Sequence, residues 1–428
     1  MTRTAVLNSV VLTVVFSIGV VAAQDSLLIS DQLPITNASS SLVSNRSDCV
    51  KHGSKCTGCQ KTAKTDSSKK SAYETPARLI APFGDGIQVG GWISGGVTFN
   101  EQDNRNRTGN FPVRFGDASY GALANQIWGF IEREADNGGS GVDWGFRADY
   151  VYGSDGPDTQ AFGDRNWDYG WNSSGDYGSA VPQLYFDLAI NNLSVRLGHF
   201  QNFLSYETVP APSNFFYSHA LTMSYGESMT NTGVLAEYYV NPCVTLYGGW
   251  TMGWDSGFDN QDDANLILGG FSWSPNDQLI VDYKLTAGNF GDGNPVNEGN
   301  LFMHSLVVQY QVNDQVDYVM QSDFAINFDR PSGDDTQWYG INNYLYYQIN
   351  SCWLAGVRAE WFRDQDGART GTAGDYYEAT VGLNWQPTNN LRVRPEARWD
   401  VYEGVGTPFH SGTDTNITTF GIDFVWQF

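Results

Sequence analysis

The sequence predicts an all-β protein, a transmembrane antiparallel up-and-down β-barrel of about 16 strands with a disordered N-terminal leader. Three observations lead to this fold class. The 428 residues include 47 glycines and 14% aromatics, which favour turns and strands over helices. From residue 87 onward, sixteen stretches alternate between apolar and polar residues. The last stretch ends on the terminal residue, Phe428.

The N-terminus predicts export. Arg3 precedes an apolar run over residues 5–21, and small residues up to Ala23 follow it, as a signal peptidase requires. Polar residues interrupt the run, which is shorter than the ~20 apolar residues of a membrane-spanning helix. We therefore assign residues 1–23 to a signal peptide rather than to a membrane anchor.

Residues 24–86 are predicted to form a periplasmic leader. They carry eight basic and six acidic residues, whereas residues 87–428 carry 15 basic and 41 acidic ones, which places a boundary near residue 86. Six of the seven lysines of the chain lie between Lys51 and Lys70. This composition predicts disorder. A cationic tether to an acidic polymer such as the cell wall is the alternative function.

Three of the five cysteines lie in this leader, at Cys49, Cys56 and Cys59. The CxxC spacing of the last two is compatible with a local disulfide, a redox pair or, together with His52, a zinc site. An oxidising compartment favours the disulfide. Cys243 and Cys352 fall at short turns that are distant in the predicted ring, where they stay unpaired or meet leader thiols.

The predicted strands are joined by connections that alternate between short and long. They cover residues 87–100, 123–135, 141–153, 181–191, 193–202, 230–241, 244–255, 263–276, 279–290, 301–312, 316–328, 336–350, 352–364, 376–387, 390–402 and 416–428. An even strand count with tight turns at one end and longer loops at the other is typical of membrane barrels. Because lipid offers no hydrogen-bond partner to an unpaired backbone, such a sheet must close.

The apolar row of each strand is expected to face lipid and the polar row to face water. Phe424, Trp426 and Phe428 lie in the apolar row of the last strand, and we expect the barrel-assembly machinery to recognise them as an assembly signal. An apolar exterior around a wet interior explains a mean hydropathy of −0.35 in a membrane protein. A secreted β-sandwich or propeller, with shorter strands, is the soluble alternative.

Charge and motifs exclude several functions. A net charge of −23 and a pI near 4.4 argue against nucleic acid as a partner. The sequence has no GxSxG, HExxH or glycine-rich phosphate loop, and its five histidines have no obvious serine and acid partners. We therefore predict no cofactor, no metal site and no catalytic residue, and expect the protein not to be an enzyme.

The inward rows supply the candidate site, because a barrel of ~16 strands keeps an aqueous channel. The predicted pore-lining residues are Arg147, Asp149, Arg196, Asp282, Lys284, Asp317, Asp323, Arg358, Glu360, Glu378, Arg392, Arg394, Glu396, Arg398 and Asp400. They form either a charged wall that orients polar solutes or neutralised pairs, such as Arg358 with Glu360 and Arg394 with Glu396, that keep the lumen wet. The excess of acids predicts a preference for cations.

Two long loops, 154–180 and 203–229, are candidates to narrow the channel. The aspartates of the first lack the order of a calcium loop, so they solvate the loop or bind divalent ions that bridge lipid phosphates. In the second, Pro210 and Pro212 stiffen the chain. Its aromatic triplet, Phe215, Phe216 and Tyr217, needs cover inside the barrel, which predicts a constriction element.

The second loop and its flanks also carry a family resemblance. Residues 198–200 (GHF), 207–218 (ETVPAPSNFFYS), 225–227 (YGE) and 232–234 (TGV) resemble the OmpL-like bacterial outer-membrane β-barrel porins. The likeness extends over most of residues 87–428 and excludes the leader. It implies an outer-membrane porin and brings no catalytic residues.

The expected function is therefore passive diffusion of small hydrophilic solutes or ions across the outer membrane of a Gram-negative-type envelope. The alternative is a structural or adhesive outer-membrane barrel that its loops close and that conducts nothing. The expected partners are outer-membrane lipid, small hydrophilic solutes and the barrel-assembly machinery. The oligomeric state stays open, with a homotrimer among the candidates.

Overall fold

The computed structural model describes residues 80–102, 108–115, 119, 121–162, 167–259, 263–291, 299–330 and 333–428. The predicted signal peptide and residues 24–79 of the predicted leader lie outside the described residues. Strands dominate the described chain: β1 (Gln88–Asn100), β2 (Leu123–Arg133), β3 (Val142–Gly153), β4 (Gly178–Ala180), β5 (Leu184–Ile190), β6 (Leu193–Gln201), β7 (Thr230–Asn241), β8 (Val244–Trp254), β9 (Asn265–Asn276), β10 (Leu279–Gly291), β11 (Gly299–Asn313), β12 (Val316–Phe328), β13 (Thr336–Asn350), β14 (Trp353–Asp364), β15 (Gly374–Thr388), β16 (Leu391–Gly404) and β17 (Asn416–Gln427).

These strands form one closed antiparallel sheet. β4 and β5 are two parts of a single barrel strand, because both pair with β3, so the barrel has 16 strands as predicted. β1 pairs with β2 on one side and with β17 on the other. At this seam Gly91 and Phe428 exchange backbone hydrogen bonds of 3.0 and 2.9 Å. Closure leaves no unpaired sheet edge, and the alternative of a soluble sandwich or propeller is wrong.

Four of the short connections share an asparagine that builds the turn. In each case the side-chain oxygen accepts the backbone N–H two residues further on, at 2.8–2.9 Å, from Cys243, Gln278, Gln315 and Cys352. Asparagine side chains form such turns readily because they reach their own backbone. The asparagines are Asn241, Asn276, Asn313 and Asn350. The turns lie at the same end of the barrel as the start of β1 and the end of β17.

The outer face of the barrel is apolar. In β17 the outward side chains Phe420, Ile422, Phe424 and Trp426 are 37–50% exposed, whereas the inward Asp423 is 3% exposed. Other strands present the same belt of exposed apolar residues, including Trp144, Phe186, Leu246, Ile267, Leu345 and Val381. An exposed belt of this kind requires lipid around it.

The helical segments are short. α1 covers Gly156–Thr159, a 3-10 turn covers Ala211–Ser213 and a π turn covers Thr222–Gly226. Among the described residues, no helix is both long enough and apolar enough to cross a bilayer. The helical turns matter because two of them lie in the segment that fills the barrel.

Candidate functional site

The connection between β6 and β7, residues 202–229, folds into the barrel; we call it the plug loop. From Phe203 to Met229 every residue is buried except Ser205, Pro212 and Ser213. The plug loop contains the 3-10 turn and the π turn described above. Its predicted constriction residues all lie inside the barrel: Pro210, Pro212, Phe215, Phe216 and Tyr217.

The aromatic triplet of the plug loop rests on glycines of the barrel wall. A Cβ atom added at Gly356 would lie 2.4 Å from the ring of Phe215, and one at Gly382 would lie 3.2 Å from Phe216. A Cβ atom added at Gly96 or Gly421 would likewise lie 2.9 or 3.0 Å from the ring of Tyr217. Glycine in a strand commonly marks such a close approach. The wall therefore leaves space for these three rings where it carries no side chain.

Arg394 binds the backbone of the plug loop. Its guanidinium pairs with Asp423 at 2.9 and 2.6 Å, directly across the β16–β17 ladder. Nη1 also donates to the carbonyls of Ala211, Asn214 and Phe216 at 2.9–3.0 Å. One buried cation thus neutralises an acid of the wall and turns three loop carbonyls toward the wall.

The neighbouring arginines act in the same way. Arg358 pairs with Glu207 of the plug loop (2.8 Å) and with Glu378 of the wall (3.0 Å), and it donates to the carbonyl of Ser218. Arg398 pairs with Asp400 at 2.7 Å and donates to the carbonyl of His219. Arg392 donates to the carbonyl of Pro212 at 3.1 Å. These four arginines, one on β14 and three on β16, therefore hold the loop.

Carboxylates of the wall also bind the loop, by accepting hydrogen bonds from its backbone N–H groups. Glu360 accepts from the backbone of Leu221 (2.7 Å) and Thr222 (2.6 Å). Glu396 accepts from Tyr217 (2.8 Å) and Ser218 (3.0 Å). We call β14–β17, with these arginines and carboxylates, the basic wall.

The ion pairs proposed from sequence spacing, Arg358 with Glu360 and Arg394 with Glu396, are not the pairs found. The loop backbone occupies both glutamates, so the arginines pair with acids of neighbouring strands and of the loop. For Glu207, burial alone would raise the pKa, but Arg358 and His219 outweigh it and hold the pKa well below its usual range.

A second set of contacts ties the plug loop to β2. The Gln126 amide donates to the carbonyl of Val209 at 2.7 Å and accepts from the N–H of Ala211 at 3.0 Å. The same amide donates to Asp155, which follows β3, at 2.8 Å. Burial raises the pKa of Asp155 to about 7, although the Gln126 hydrogen bond opposes the shift. Sequence reasoning missed Gln126 because an isolated amide in a strand carries no motif, and it treated Asp155 only as one of the acids of loop 154–180.

The interior is more apolar than expected at the end with the long connections. Plug-loop residues Phe203, Leu204 and Leu221 belong to one buried cluster with wall residues Leu266, Leu268, Leu301, Met303, Trp338 and Phe362. The expectation of a polar inner row is therefore wrong for this half of the barrel. The reason is the plug loop, since inward apolar residues pack against its own apolar side chains.

The wall opposite, β7–β12, differs in the half nearer the short turns; we call this half the acidic wall. Asp282 and Asp317 point inward, are partly exposed, and have no ion pair or hydrogen bond among the described residues. Glu237 is 2% exposed and its Oε1 has no hydrogen-bond partner. Lys284 lies over the rings of Phe203 (4.8 Å) and Tyr247 (5.6 Å).

The remaining predicted lining residues find their partners within the wall. Arg147 pairs with Glu132 and Asp149, each at 2.7 Å. Arg196 pairs with Asp187 at 2.8 Å and stacks 3.7 Å over the ring of Tyr185. Asp323 accepts from the Ser305 hydroxyl at 2.6 Å. Both arginines are therefore neutralised by acids of the wall, whereas Asp323 is held by a neutral donor.

Loop 154–180 uses its acids in structural contacts. Asp158 pairs with Arg114 at 2.6 Å, and Asp168 accepts the N–H groups of Ala161 and Val181, both at 2.7 Å. Burial raises the pKa of Asp168 to about 6, while the N–H donors oppose the shift. In the part of the chain that the structure describes, no three His, Cys, Asp or Glu side chains are grouped as a metal site needs.

A closed 16-strand barrel with an inward loop and an apolar belt agrees with the comparison with known families. The family described as "Putative beta-barrel porin-2, OmpL-like" matches residues 86–428. The chain belongs to this family. It is thus an outer-membrane β-barrel of a Gram-negative-type envelope, in which the short turns face the periplasm. A search of curated proteins gave no match.

Solved structures of other porins share the fold. The anion-selective porin from Comamonas acidovorans is 12% identical, with a TM-score of 0.56, over 80% of this chain and 99% of that one. The outer membrane channel DcaP of Acinetobacter baumannii is 9% identical, with a TM-score of 0.54, over 83% and 100%. OmpT of Vibrio cholerae, solved as a trimer form, is 11% identical, with a TM-score of 0.51, over 80% and 99%.

Proposed function

We propose that this OmpL-like barrel is a porin that lets small hydrophilic solutes or ions cross the outer membrane by passive diffusion, without a catalytic step. The observation that carries the proposal is the asymmetry of the interior. The plug loop is bound to the basic wall, whereas polar side chains of the acidic wall, including Asp282 and Asp317, stay partly exposed. A passage beside the loop would therefore run along the acidic wall.

The extent of the plug loop limits what could pass. Its side chains are almost all buried, and an apolar cluster surrounds Phe203 and Leu221 in the extracellular half. A passage past such a loop admits only small solutes. The same observation favours the second candidate, a structural or adhesive barrel that the plug loop closes.

Single-channel recording in planar bilayers separates the two candidates. The wild type is compared with a variant in which residues 208–226 are replaced by a short Gly-Ser linker. Stable open steps of the wild type support the porin. A silent wild type and a conducting linker variant support the closed barrel. Heat-modifiable electrophoretic mobility of both proteins controls for folding.

The partners follow from the same proposal. Outer-membrane lipid would contact the apolar belt, and the barrel-assembly machinery would recognise Phe424, Trp426 and Phe428, all on or beside the outward face of the β1–β17 seam. The trimer form of Vibrio cholerae OmpT makes a homotrimer the assembly to test first. Native mass spectrometry of the detergent-solubilised protein would detect three copies.

A further inference from the structure

Cys243, in the periplasmic turn between β7 and β8, is disulfide-bonded, whereas Cys352, in the turn between β13 and β14, is free. The chain has only three other cysteines, at Cys49, Cys56 and Cys59. We propose that Cys243 is bonded to one of these leader cysteines, and that the lysine-rich leader segment 51–70 docks on the acidic wall beside it.

The surface next to Cys243 has the charge that such a segment requires. The next two periplasmic turns along the ring carry Asp277 and Asp314, both exposed. Above them, inside the barrel, lie Asp282 and Asp317. None of these four carboxylates has an ion pair or hydrogen bond among the described residues. They form an unneutralised acidic patch that starts at the rim and continues into the lumen.

The charge of the leader segment is complementary to this patch. Residues 51–70 contain six lysines and one acid, Asp66, whereas the rest of the chain contains one lysine, Lys284. Lysine ammonium groups are compact charges on long side chains, so they pair with separate carboxylates without the fixed geometry that an arginine requires. Two of the leader cysteines, Cys56 and Cys59, lie within this segment, so a bond from either one to Cys243 would bring the lysines to the rim.

The chain is long enough to span the periplasmic mouth. Cys59 precedes the first residue of β1, Gln88, by 29 positions, a reach of up to ~95 Å at ~3.3 Å per residue. Sixteen strands ~4.8 Å apart and tilted ~40° give a barrel roughly 30 Å across. The connection from β1 to the β7–β8 turn on the far side therefore needs no stretched chain.

The chemistry of the bond suits the periplasm. Two cysteine thiols lose two protons and two electrons and form one S–S bond, while the disulfide of a periplasmic dithiol oxidant takes them up and becomes two thiols. The exchange passes through a mixed disulfide between one cysteine of this chain and the oxidant. The position of Cys243 at a rim turn gives an oxidant access.

Mass spectrometry of the full-length protein tests the bond. Free thiols are blocked with a membrane-permeant maleimide before lysis, and the purified protein is digested without reductant. We expect a peptide containing Cys243 joined to one containing Cys49, Cys56 or Cys59, lost in Cys243→Ser and kept in Cys352→Ser. A maleimide on Cys243, or a bond from Cys243 to Cys352 or to a second copy, would overturn it.

Carbodiimide cross-linking in lipid vesicles tests the docking. We expect isopeptide bonds from the 51–70 lysines to Asp277, Asp282, Asp314 or Asp317, and at least a fivefold lower yield when all four are changed to Asn. The matched control changes four acids at the long-loop end to Asn, at Asp329, Asp334, Asp335 and Asp366, and leaves the yield unchanged. Cross-links to the long-loop acids, or an unchanged yield in the first variant, would refute the docking. Neither readout requires that the barrel conducts.

Discussion

The basic wall and the acidic wall show that a charge next to a lumen is not necessarily a charge in the lumen. The four arginines at inward positions of β14 and β16 are all occupied by plug-loop carbonyls and by carboxylates, so the solute side of the loop receives little of their field. The acidic wall has fewer charges, yet Asp282 and Asp317 have no ion pair with any residue that the structure describes. The wall with more charge thus binds the plug loop, and the wall with less charge keeps its acids partly exposed.

The strongest test of the support role is Arg358→Met. The change leaves Glu207 and Glu378 buried without their cation, which costs ~3–5 kcal/mol. We expect a lower urea midpoint in lipid vesicles and chymotryptic cleavage within the plug loop. The matched control is Arg363→Met at the outer rim, where the Arg363–Asp375 pair is partly exposed and contributes ~0–1 kcal/mol. Equal stability of the two variants would contradict the comparison.

Substituting the glycines that contact the aromatic triplet tests how closely the plug loop packs against the wall. Gly356→Ala places a methyl group 2.4 Å from the ring of Phe215, and overpacking of this kind costs ~1–3 kcal/mol. We expect the loss in the urea midpoint, and partial recovery in the double variant with Phe215→Leu. Gly129→Ala, whose Cβ would meet nothing within 4 Å, serves as the control and is expected to be neutral. If Gly356→Ala leaves the urea midpoint unchanged, the ring of Phe215 does not pack against Gly356.

The pH dependence of stability that comes from Asp155, which contacts Gln126, tests whether the basic wall alone holds the plug loop. Because burial raises the folded pKa of Asp155 to about 7, the folded state binds its proton more tightly than the unfolded state. Its contribution is therefore fully present below pH ~4 and is lost as the pH rises to about 7, by up to ~1.4 kcal/mol per pH unit. We expect urea midpoints to fall over this range in the wild type.

Asp155→Asn should flatten that part of the pH profile, since an amide keeps the shape and does not titrate. Asp335→Asn, in an exposed loop, is the control and should leave the slope unchanged. If Asp155→Asn and the wild type have the same slope, the second anchor does not depend on this proton, and the basic wall suffices to hold the loop.

The two walls were not equally predictable from the sequence. Alternation within strands and the length of the connections predicted all 16 barrel strands, with ends within two residues except at β4 and β5, where three residues interrupt the strand. The inward position of Arg394 follows from the same alternation. Its pairing with Asp423 does not follow from alternation, because it depends on the register between β16 and β17. Gln126 was missed for the same reason, since its hydrogen-bond partner lies in a loop about 80 residues away.

The smallest expected effect bears most directly on the acidic wall. In planar bilayers with unequal KCl, the double variant Asp282→Asn with Asp317→Asn should lower the cation-to-anion permeability ratio about two- to threefold. A unit charge ~7 Å from an ion in water is worth ~0.6 kcal/mol without salt. Screening at ~0.1 M salt halves this to ~0.3 kcal/mol, so each acid changes the ratio less than about twofold. Glu403→Gln, which removes an exposed charge at the long-loop end of β16, is the control and should leave the ratio unchanged. A wild type selective for chloride would mean that the arginines of β14 and β16 retain their field beyond the loop, and the roles assigned to the two walls would have to be reversed.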